Sequence, residues 1–117
     1  MEHLSRQYDA DLEALRSRVL QMGGLVEAQI HAAVESFGTG NAEQMARVCD
    51  GDRRVNDYEV EIDDACAHVV ARRQPAARDL RLIMAVSKIV TDIERAGDEA
   101  EKIARMARQI HARGGLQ

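Results

Sequence analysis

Aliphatic side chains recur every three or four residues along most of this chain, and this spacing constrains the fold more than any other feature. Such a period places the apolar residues on one face of an α-helix. The first and longest stretch with this spacing comprises Leu4, Tyr8, Leu12, Leu15, Val19, Met22, Val26, Ala33 and Phe37. It predicts a first helix over about residues 3–37.

Two interruptions divide the pattern into three parts. Gly38 to Asn41 ends the first helix, and Asn41 with Gln44 three residues later has the form of a capping box that begins a second. Pro75 ends the second helix, because its ring removes a helical hydrogen bond, and it suits the first turn of a new one. The predicted helices cover about residues 3–37, 42–73 and 76–112, the last fraying at Gly114-Gly115.

Short turns make successive helices antiparallel, so the sequence predicts an all-α fold, an up-down-up three-helix bundle of long antiparallel helices. A length of 117 residues suits a single domain over 1–117, and 3% aromatic residues require a core of aliphatic side chains. Gly23-Gly24, which cost about 1 kcal/mol each relative to alanine, indicate a kink or a close helix crossing in the first helix. So long and thin a bundle favours burying a further face against a second copy.

Composition also excludes several classes of protein. The longest uncharged runs hold fewer than about ten residues, which is too short to cross a bilayer, and the first residues lack the charged n-region and apolar h-region of a signal peptide. Cys49 and Cys66 lie too far apart on one predicted helix to form a disulfide with each other. We therefore expect both to be reduced thiols. The sequence pI of about 5.5 argues against nucleic acid. We therefore expect a cytoplasmic protein.

Acidic residues are concentrated in two segments of the predicted second and third helices. Residues 50–64 hold seven acids and two arginines, and residues 92–101 hold five acids and one arginine, in a chain of formal charge −4. Glu94 and Asp98 are four residues apart on one helix face, and Glu101 continues that edge. Like charges at this spacing destabilise a helix unless something neutralises them. The pattern predicts an anionic surface for cations or a basic partner.

The antiparallel arrangement predicts which acidic side chains stand level. Asp52, Asn56, Glu59 and Asp63 form an oxygen-rich stripe on the second helix. Reflection about Gln74-Pro75 places position 98 opposite about 51 and position 94 opposite about 55. Reflection about Gly40 brings Glu27 and His31 to the same level. Oxygen ligands suit iron, manganese, magnesium or calcium, and a nearby histidine admits zinc or iron.

A second interpretation of the acidic segments remains open. Exposed charge runs are often solvated helix faces joined by weak ion pairs, here Asp98 with Lys102, Arg95 with Glu99 and Arg53 with Asp57. That interpretation does not account for Gly97 inside a long helix.

Catalytic patterns are missing from the sequence. The pairs Asp64–His68 and Glu27–His31 lack the Glu-x-x-His spacing of di-iron bundles. The sequence contains no nucleophile with a base, no glycine-rich phosphate loop and no Cys/His zinc spacing. We therefore predict that the protein is not an enzyme.

Two motifs resemble the PhoU family of phosphate-uptake regulators. The first is Ala71-Arg72-Arg73-Gln74-Pro75-Ala76-Ala77-Arg78-Asp79-Leu80-Arg81-Leu82-Ile83. The second is Lys88-Ile89-Val90-Thr91-Asp92-Ile93-Glu94-Arg95-Ala96-Gly97-Asp98-Glu99-Ala100, which contains the family's Glu/Asp-x-x-x-Asp motif. Residues 22–27 and 52–63 also match. The family's chains carry two tandem three-helix repeats, and this sequence contains one that resembles the first.

The resemblance implies a cytoplasmic, non-catalytic regulator that reaches the membrane only through its partners. Those partners are the ATPase subunit of the phosphate ABC transporter and the phosphate-sensing histidine kinase. Some family members bind iron or zinc clusters through the motif that falls here on Glu94 and Asp98. Asp52, Asn56 and Glu59 match the family's acidic positions on the second helix. A homodimer would rebuild six helices.

An alternative function remains beside this one. The chain would then be a structural helical dimerisation module, or half of a larger assembly, without regulatory activity of its own.

Overall fold

The protein is an all-α bundle of three long helices, which confirms the predicted fold class. The computed structural model describes the backbone of residues 2–114 and the side chains of residues 6–114. The helices are α1 (Glu2–Thr39), α2 (Ala42–Arg73) and α3 (Ala77–Ala112), and the described residues contain no strand. Two predicted features, the apolar side chain of Leu4 and the fraying at Gly115, lie outside the described residues.

The turn between α1 and α2 depends on Gly40 and Asn41. Gly40 has a φ of 77°, and its N–H donates to the carbonyl of Ser36 at 2.9 Å. The side-chain oxygen of Asn41 accepts from the backbone N–H of Gln44 at 3.1 Å, which confirms the predicted helix cap. The return half of the capping box does not form, because the Gln44 amide lies 3.4 Å from Glu35 instead.

The turn between α2 and α3 differs from the prediction at Pro75. Gln74 is left-handed, with φ 45°, and its N–H donates to Val70 at 3.2 Å. Ala76 is extended, with ψ 164°, and its carbonyl accepts the first bond of α3, from Leu80 at 2.8 Å. The chain needs this extended residue to reverse direction, so Pro75 precedes the helix cap and does not lie in the first turn.

Two polar contacts hold the open end of the α1–α2 pair. The guanidinium of Arg73, at the end of α2, donates from Nε to Asp11 at 2.9 Å and from Nη1 to Gln7 at 2.8 Å. These contacts join the last turn of α2 to the first third of α1, where the helices have no connecting turn.

The core changes in character along the bundle. The larger cluster holds bulky aliphatic side chains from all three helices: Leu15, Met22, Val26, Val55, Ile62, Cys66, Val69, Ile83 and Val90. A second cluster, which we call the alanine cluster, consists of Ala33, Val48, Ala100 and Ala104, all buried. Because alanine side chains are small, the helices can approach more closely here than where leucine or isoleucine fills the core.

Contacts between helices fix their register. Arg18 of α1 reaches Glu61 of α2 at 2.9 Å, and Gln29 donates to the carbonyl of Val48 at 3.0 Å. A reflection about Gly40 predicts these partners to within one residue for Arg18 and three residues for Gln29. Between α2 and α3, Gly97 lies nearest Val55, a few residues from the predicted partner of position 55. The midpoint of this pair is Ala76, the extended residue that precedes α3, and not Gln74-Pro75 as predicted.

The bundle is elongated, with principal extents of 66 × 18 × 16 Å. Within the described residues, none of the helices combines the length and apolar character that a membrane crossing requires. The two cysteines are unpaired, with Cys66 buried and Cys49 half-buried.

The helical glycines at positions 23, 24 and 97 differ in what surrounds them. A Cβ at Gly97 would lie 3.1 Å from Cγ1 of Val55 and 3.5 Å from Cγ2 of Val26, so the bare backbone there permits a close crossing of three helices. A Cβ at Gly23 or Gly24 would meet nothing within 4 Å. The expected close crossing at Gly23-Gly24 is therefore wrong, and α1 continues unbroken through both residues.

Gly24→Ala should stabilise the protein by about 0.5–1 kcal/mol, because alanine has a higher helix propensity and meets open space. Gly97→Ala should lose this gain, since its methyl group must displace the stiff, buried Val55. Urea denaturation followed by circular dichroism measures both free energies of unfolding. An equal stabilisation by the two substitutions would contradict the proposed role of Gly97.

Candidate metal centre

Carboxylates from α2 and α3 meet where the close crossing brings these helices together. Asp52 of α2 and Asp98 and Glu101 of α3 each offer one oxygen, and the three oxygens lie within 4.8 Å of one another. All three residues are half-buried. We call these three residues the carboxylate cluster. It confirms, in three dimensions, the expected proximity of positions 52 and 98.

The cluster has the chemistry and dimensions of a cation site. Two oxygens bound to one ion at 2.0–2.6 Å are separated by at most about 4–5 Å, a range that includes the observed spacing. Oδ1 of Asp52 is buried and has no hydrogen-bond partner. A buried, unpaired carboxylate oxygen is costly, and a bound cation would satisfy it. An all-oxygen donor set suits hard ions such as Mg²⁺, Ca²⁺, Mn²⁺ or ferric iron.

The other three residues of the predicted ligand set border this cluster. Nδ2 of Asn56 lies 3.5 Å from Oδ2 of Asp52, so the amide acts there as a donor that orients a carboxylate. Glu94 lies close enough to Asp98 for a hydrogen bond when one of the two carboxyl groups is protonated, and Glu59 lies close enough to Asp98 to interact with its charge. These residues form a second layer around the three grouped oxygens.

Mutual repulsion and burial act on the pKa values of these carboxyl groups. Burial raises the pKa of Asp52, and the charge of Asp98 raises it further, whereas the hydrogen bond from Asn56 and the charge of Arg105 lower it. Burial, followed by the charges of Asp63 and Asp98, raises the pKa of Glu59. Burial also raises the pKa of Glu94, followed by the charge and hydrogen bond of Asp98 and the charges of Glu59 and Asp52. The folded protein therefore concentrates negative charge at an energetic cost.

Glu101 and Arg105 are members of the site that the predicted ligand set lacked. Glu101 follows Asp98 by three residues on the edge that the sequence identified, and Arg105 forms an ion pair with Glu101 one turn later. The spacing 98, 101, 105 is the available sequence signal for both. Which of several neighbouring acids turns toward α2 depends on side-chain direction, which spacing alone does not determine.

Several other sequence candidates do not join the cluster. Glu27 and His31 are exposed, and among the described residues no histidine belongs to a group of potential metal ligands. Asp64 and His68 border a separate shallow groove with Asp11 and Arg18.

The ion pairs of the solvated-face interpretation also differ from expectation. Lys102 pairs with Glu99 at 3.4 Å and not with Asp98. Neither Arg95 with Glu99 nor Arg53 with Asp57 forms an ion pair in the part of the chain that the structure describes.

Comparison with known proteins gives consistent matches. The profile of the PhoU domain family matches residues 19–107. A phosphate-specific transport system accessory protein PhoU homolog from Burkholderia sp is 52% identical over 88% of this chain and 44% of that protein. The Escherichia coli K12 protein of this name, PhoU, is 45% identical over 91% of this chain and 44% of that protein.

A solved structure is also similar. The crystal structure of PhoU from Pseudomonas aeruginosa superposes with a TM-score of 0.89 at 47% identity, covering 92% of this chain and 51% of that one. The chain thus spans about half the length of the relatives it matches.

Replacing Glu94 with glutamine should stabilise the apo protein increasingly as the pH rises. Because the folded-state pKa of Glu94 is raised, its contribution to stability is complete below its usual value of 4.5 and is lost as the pH climbs through the folded-state pKa. Relative to wild type, the free energy of unfolding of Glu94→Gln should rise by a few tenths of a kcal/mol between about pH 4 and pH 7.

Urea denaturation at several pH values in chelator measures this difference. Glu99→Gln is the control, because Glu99 is an exposed residue of the same helix that pairs with Lys102 outside the cluster. A difference between Glu94→Gln and wild type that stays constant with pH would contradict the electrostatic account.

Proposed function

This chain belongs to the PhoU family, and on that premise we propose that it is an accessory regulator of phosphate uptake and phosphate-starvation signalling. Its close relatives are named as accessory proteins of the phosphate-specific transport system. The observation that supports the proposal most strongly is the match of the family profile to residues 19–107, which include the acidic surface, all of α2 and parts of α1 and α3.

The proposed mode of action is binding without bond-making or bond-breaking. The regulator would contact the ATPase subunit of the phosphate ABC transporter and the phosphate-sensing histidine kinase in the cytoplasm, and so couple one to the other. Long rigid helices with charged faces supply large docking surfaces, and the 66 Å length of the bundle permits contacts at separate places. The anionic surface on α2 and α3 suits arginine- and lysine-bearing partners.

The carboxylate cluster gives the regulator a metal site in this proposal. Asp52, Asp98 and Glu101 would hold the ion, with Glu59, Glu94 and Asn56 around them. Support comes from the unpaired Oδ1 of Asp52 and the grouping of the three oxygens. Of iron and zinc, the all-oxygen donors favour iron, because zinc sites usually include sulfur or nitrogen ligands. A bound cation would neutralise the repelling carboxylates and change the charge that a partner meets.

Mn²⁺, a hard cation, should raise the melting temperature of the wild-type chain, and Asp98→Asn/Glu101→Gln should abolish the rise. A ligand that binds only the folded state stabilises it by about 2.7 kcal/mol at a concentration 100-fold above its Kd. For a chain of this length that corresponds to a shift of about 10 °C or more. Thermal denaturation by circular dichroism, with and without Mn²⁺, measures it.

Glu13→Gln/Glu99→Gln is the matched control, because it removes the same formal charge from exposed ion pairs outside the cluster. It should keep the wild-type response. Metal analysis of protein purified without chelator should find iron in the wild type and the control but not in Asp98→Asn/Glu101→Gln. The same metal response in all three proteins would remove the cluster as the site.

The purified chain should retain the transporter ATPase subunit and the cytoplasmic part of the sensor kinase when immobilised. An ATPase subunit from an unrelated ABC importer serves as the control and should not be retained. Binding of neither partner would refute the coupling role and favour a structural module.

The alternative function, a structural dimerisation module, has one observation in its favour. Leu20 of α1 and Leu82 and Ile89 of α3 are exposed along an apolar groove between these helices. A homodimer that covers this groove is also part of the regulatory proposal, so dimerisation alone does not distinguish the two functions. Light scattering decides whether the 13.0 kDa chain associates, and partner retention then decides between regulator and module.

A further inference from the structure

A positively charged side chain, Arg105, already lies beside the carboxylate cluster. The guanidinium of Arg105 forms an ion pair with the carboxylate of Glu101, whose side chain is only 18% exposed. The Arg105 side chain is itself 59% exposed, so it reaches the cluster from the solvent side. The carboxylate of Glu101 can therefore pair with Arg105 or bind a cation together with Asp52 and Asp98.

The pairing is local and easily reversed. Glu101 and Arg105 are four residues apart on α3, a spacing at which side chains meet without any change in the packing of the helices. An ion pair at this spacing contributes little to stability, because solvent screens the exposed Arg105 and both side chains lose freedom. Arg105 could thus leave Glu101 by rotating into water while the buried framework of α2 and α3 stays in place.

The charge of Arg105 extends beyond Glu101. It also acts on Asp52, across the helix interface, where it opposes the repulsion from Asp98. It does not fill the site, because Oδ1 of Asp52 remains buried and without a hydrogen-bond partner. Arg105 compensates part of the negative charge and leaves one ligand position unsatisfied.

We propose that Arg105 is an internal counter-cation that competes with a metal ion for Glu101 and thereby sets the affinity of the carboxylate cluster. The inference rests on the proposed metal function of this cluster and adds a residue that controls it. Without metal, Arg105 holds Glu101 and limits repulsion. With metal, the ion takes the Glu101 oxygen, and Arg105 is released to the solvent, where its charge is exposed to a partner.

Titration of the full chain with Mn²⁺ tests this competition. Arg105→Gln removes the charge and the ion pair, and it should bind Mn²⁺ about tenfold more tightly than wild type, the factor expected from removing one positive charge a few ångströms from a divalent ion. Arg105→Lys keeps the charge and should remain close to wild type. The free Mn²⁺ signal in electron paramagnetic resonance reports binding directly.

Lys102→Gln is the matched control, because it removes a positive charge from an ion pair on the same helix, with Glu99, outside the cluster. It should change the affinity far less than Arg105→Gln. Circular dichroism of each apo variant establishes that the bundle is folded before titration.

The outcomes separate this inference from the proposed function. If wild type binds Mn²⁺ as tightly as Arg105→Gln does, or more tightly, the proposed role of Arg105 is wrong and the metal site remains. Binding that survives Asp98→Asn/Glu101→Gln, or no binding by any folded variant, would overturn both. Binding by Arg105→Gln that is tighter than that of wild type and of Lys102→Gln supports the competition.

Discussion

The close crossing of the three helices at Gly97 is the constraint on which the rest of the structure depends. Val55 and Val26 occupy the space that a side chain at position 97 would take. Buried alanines at positions 100 and 104 continue the close packing for the next two turns of α3. Because α3 approaches α2 so directly, the carboxylates on either side of this contact line are brought together as well. The packing of small residues thereby determines the electrostatics of the surface.

Much of the fold follows from the sequence because it depends on periodicity and turn chemistry. The three helices, the cap at Asn41 and the proximity of Asp52 to Asp98 all follow from spacing and reflection about the turns. The roles of the helical glycines do not follow from the sequence, because Gly23 and Gly97 are both helical glycines and differ only in the side chains that lie opposite them. That difference is a property of tertiary packing.

The candidate site could be predicted in part for a related reason. A stripe of acids on a helix identifies a region, but it does not show which side chains converge. Glu101 turns toward Asp52, whereas Glu94 and Glu59 border the cluster and Asn56 donates to it. Arg105 was missed because a counter-ion is recognised by the group it pairs with, and its partner was itself outside the predicted ligand set. Pro75 lies outside the first turn of α3 because the chain reverses through Ala76, an extended residue that helix propensity does not predict.

The alanine cluster next to the carboxylates has a consequence for selectivity. Alanine has no side-chain rotamers, so Ala100 and Ala104 of α3, which pack with Val48 of α2 and Ala33 of α1, offer little freedom to repack. If the proposed site binds an ion, the backbones that carry Asp52 and Asp98 would then adjust little, and the fit to the ion would depend on rotation of the carboxylates. A gap of nearly constant width between α2 and α3 would discriminate among cations by size. The methyl groups of the alanine cluster would set that width.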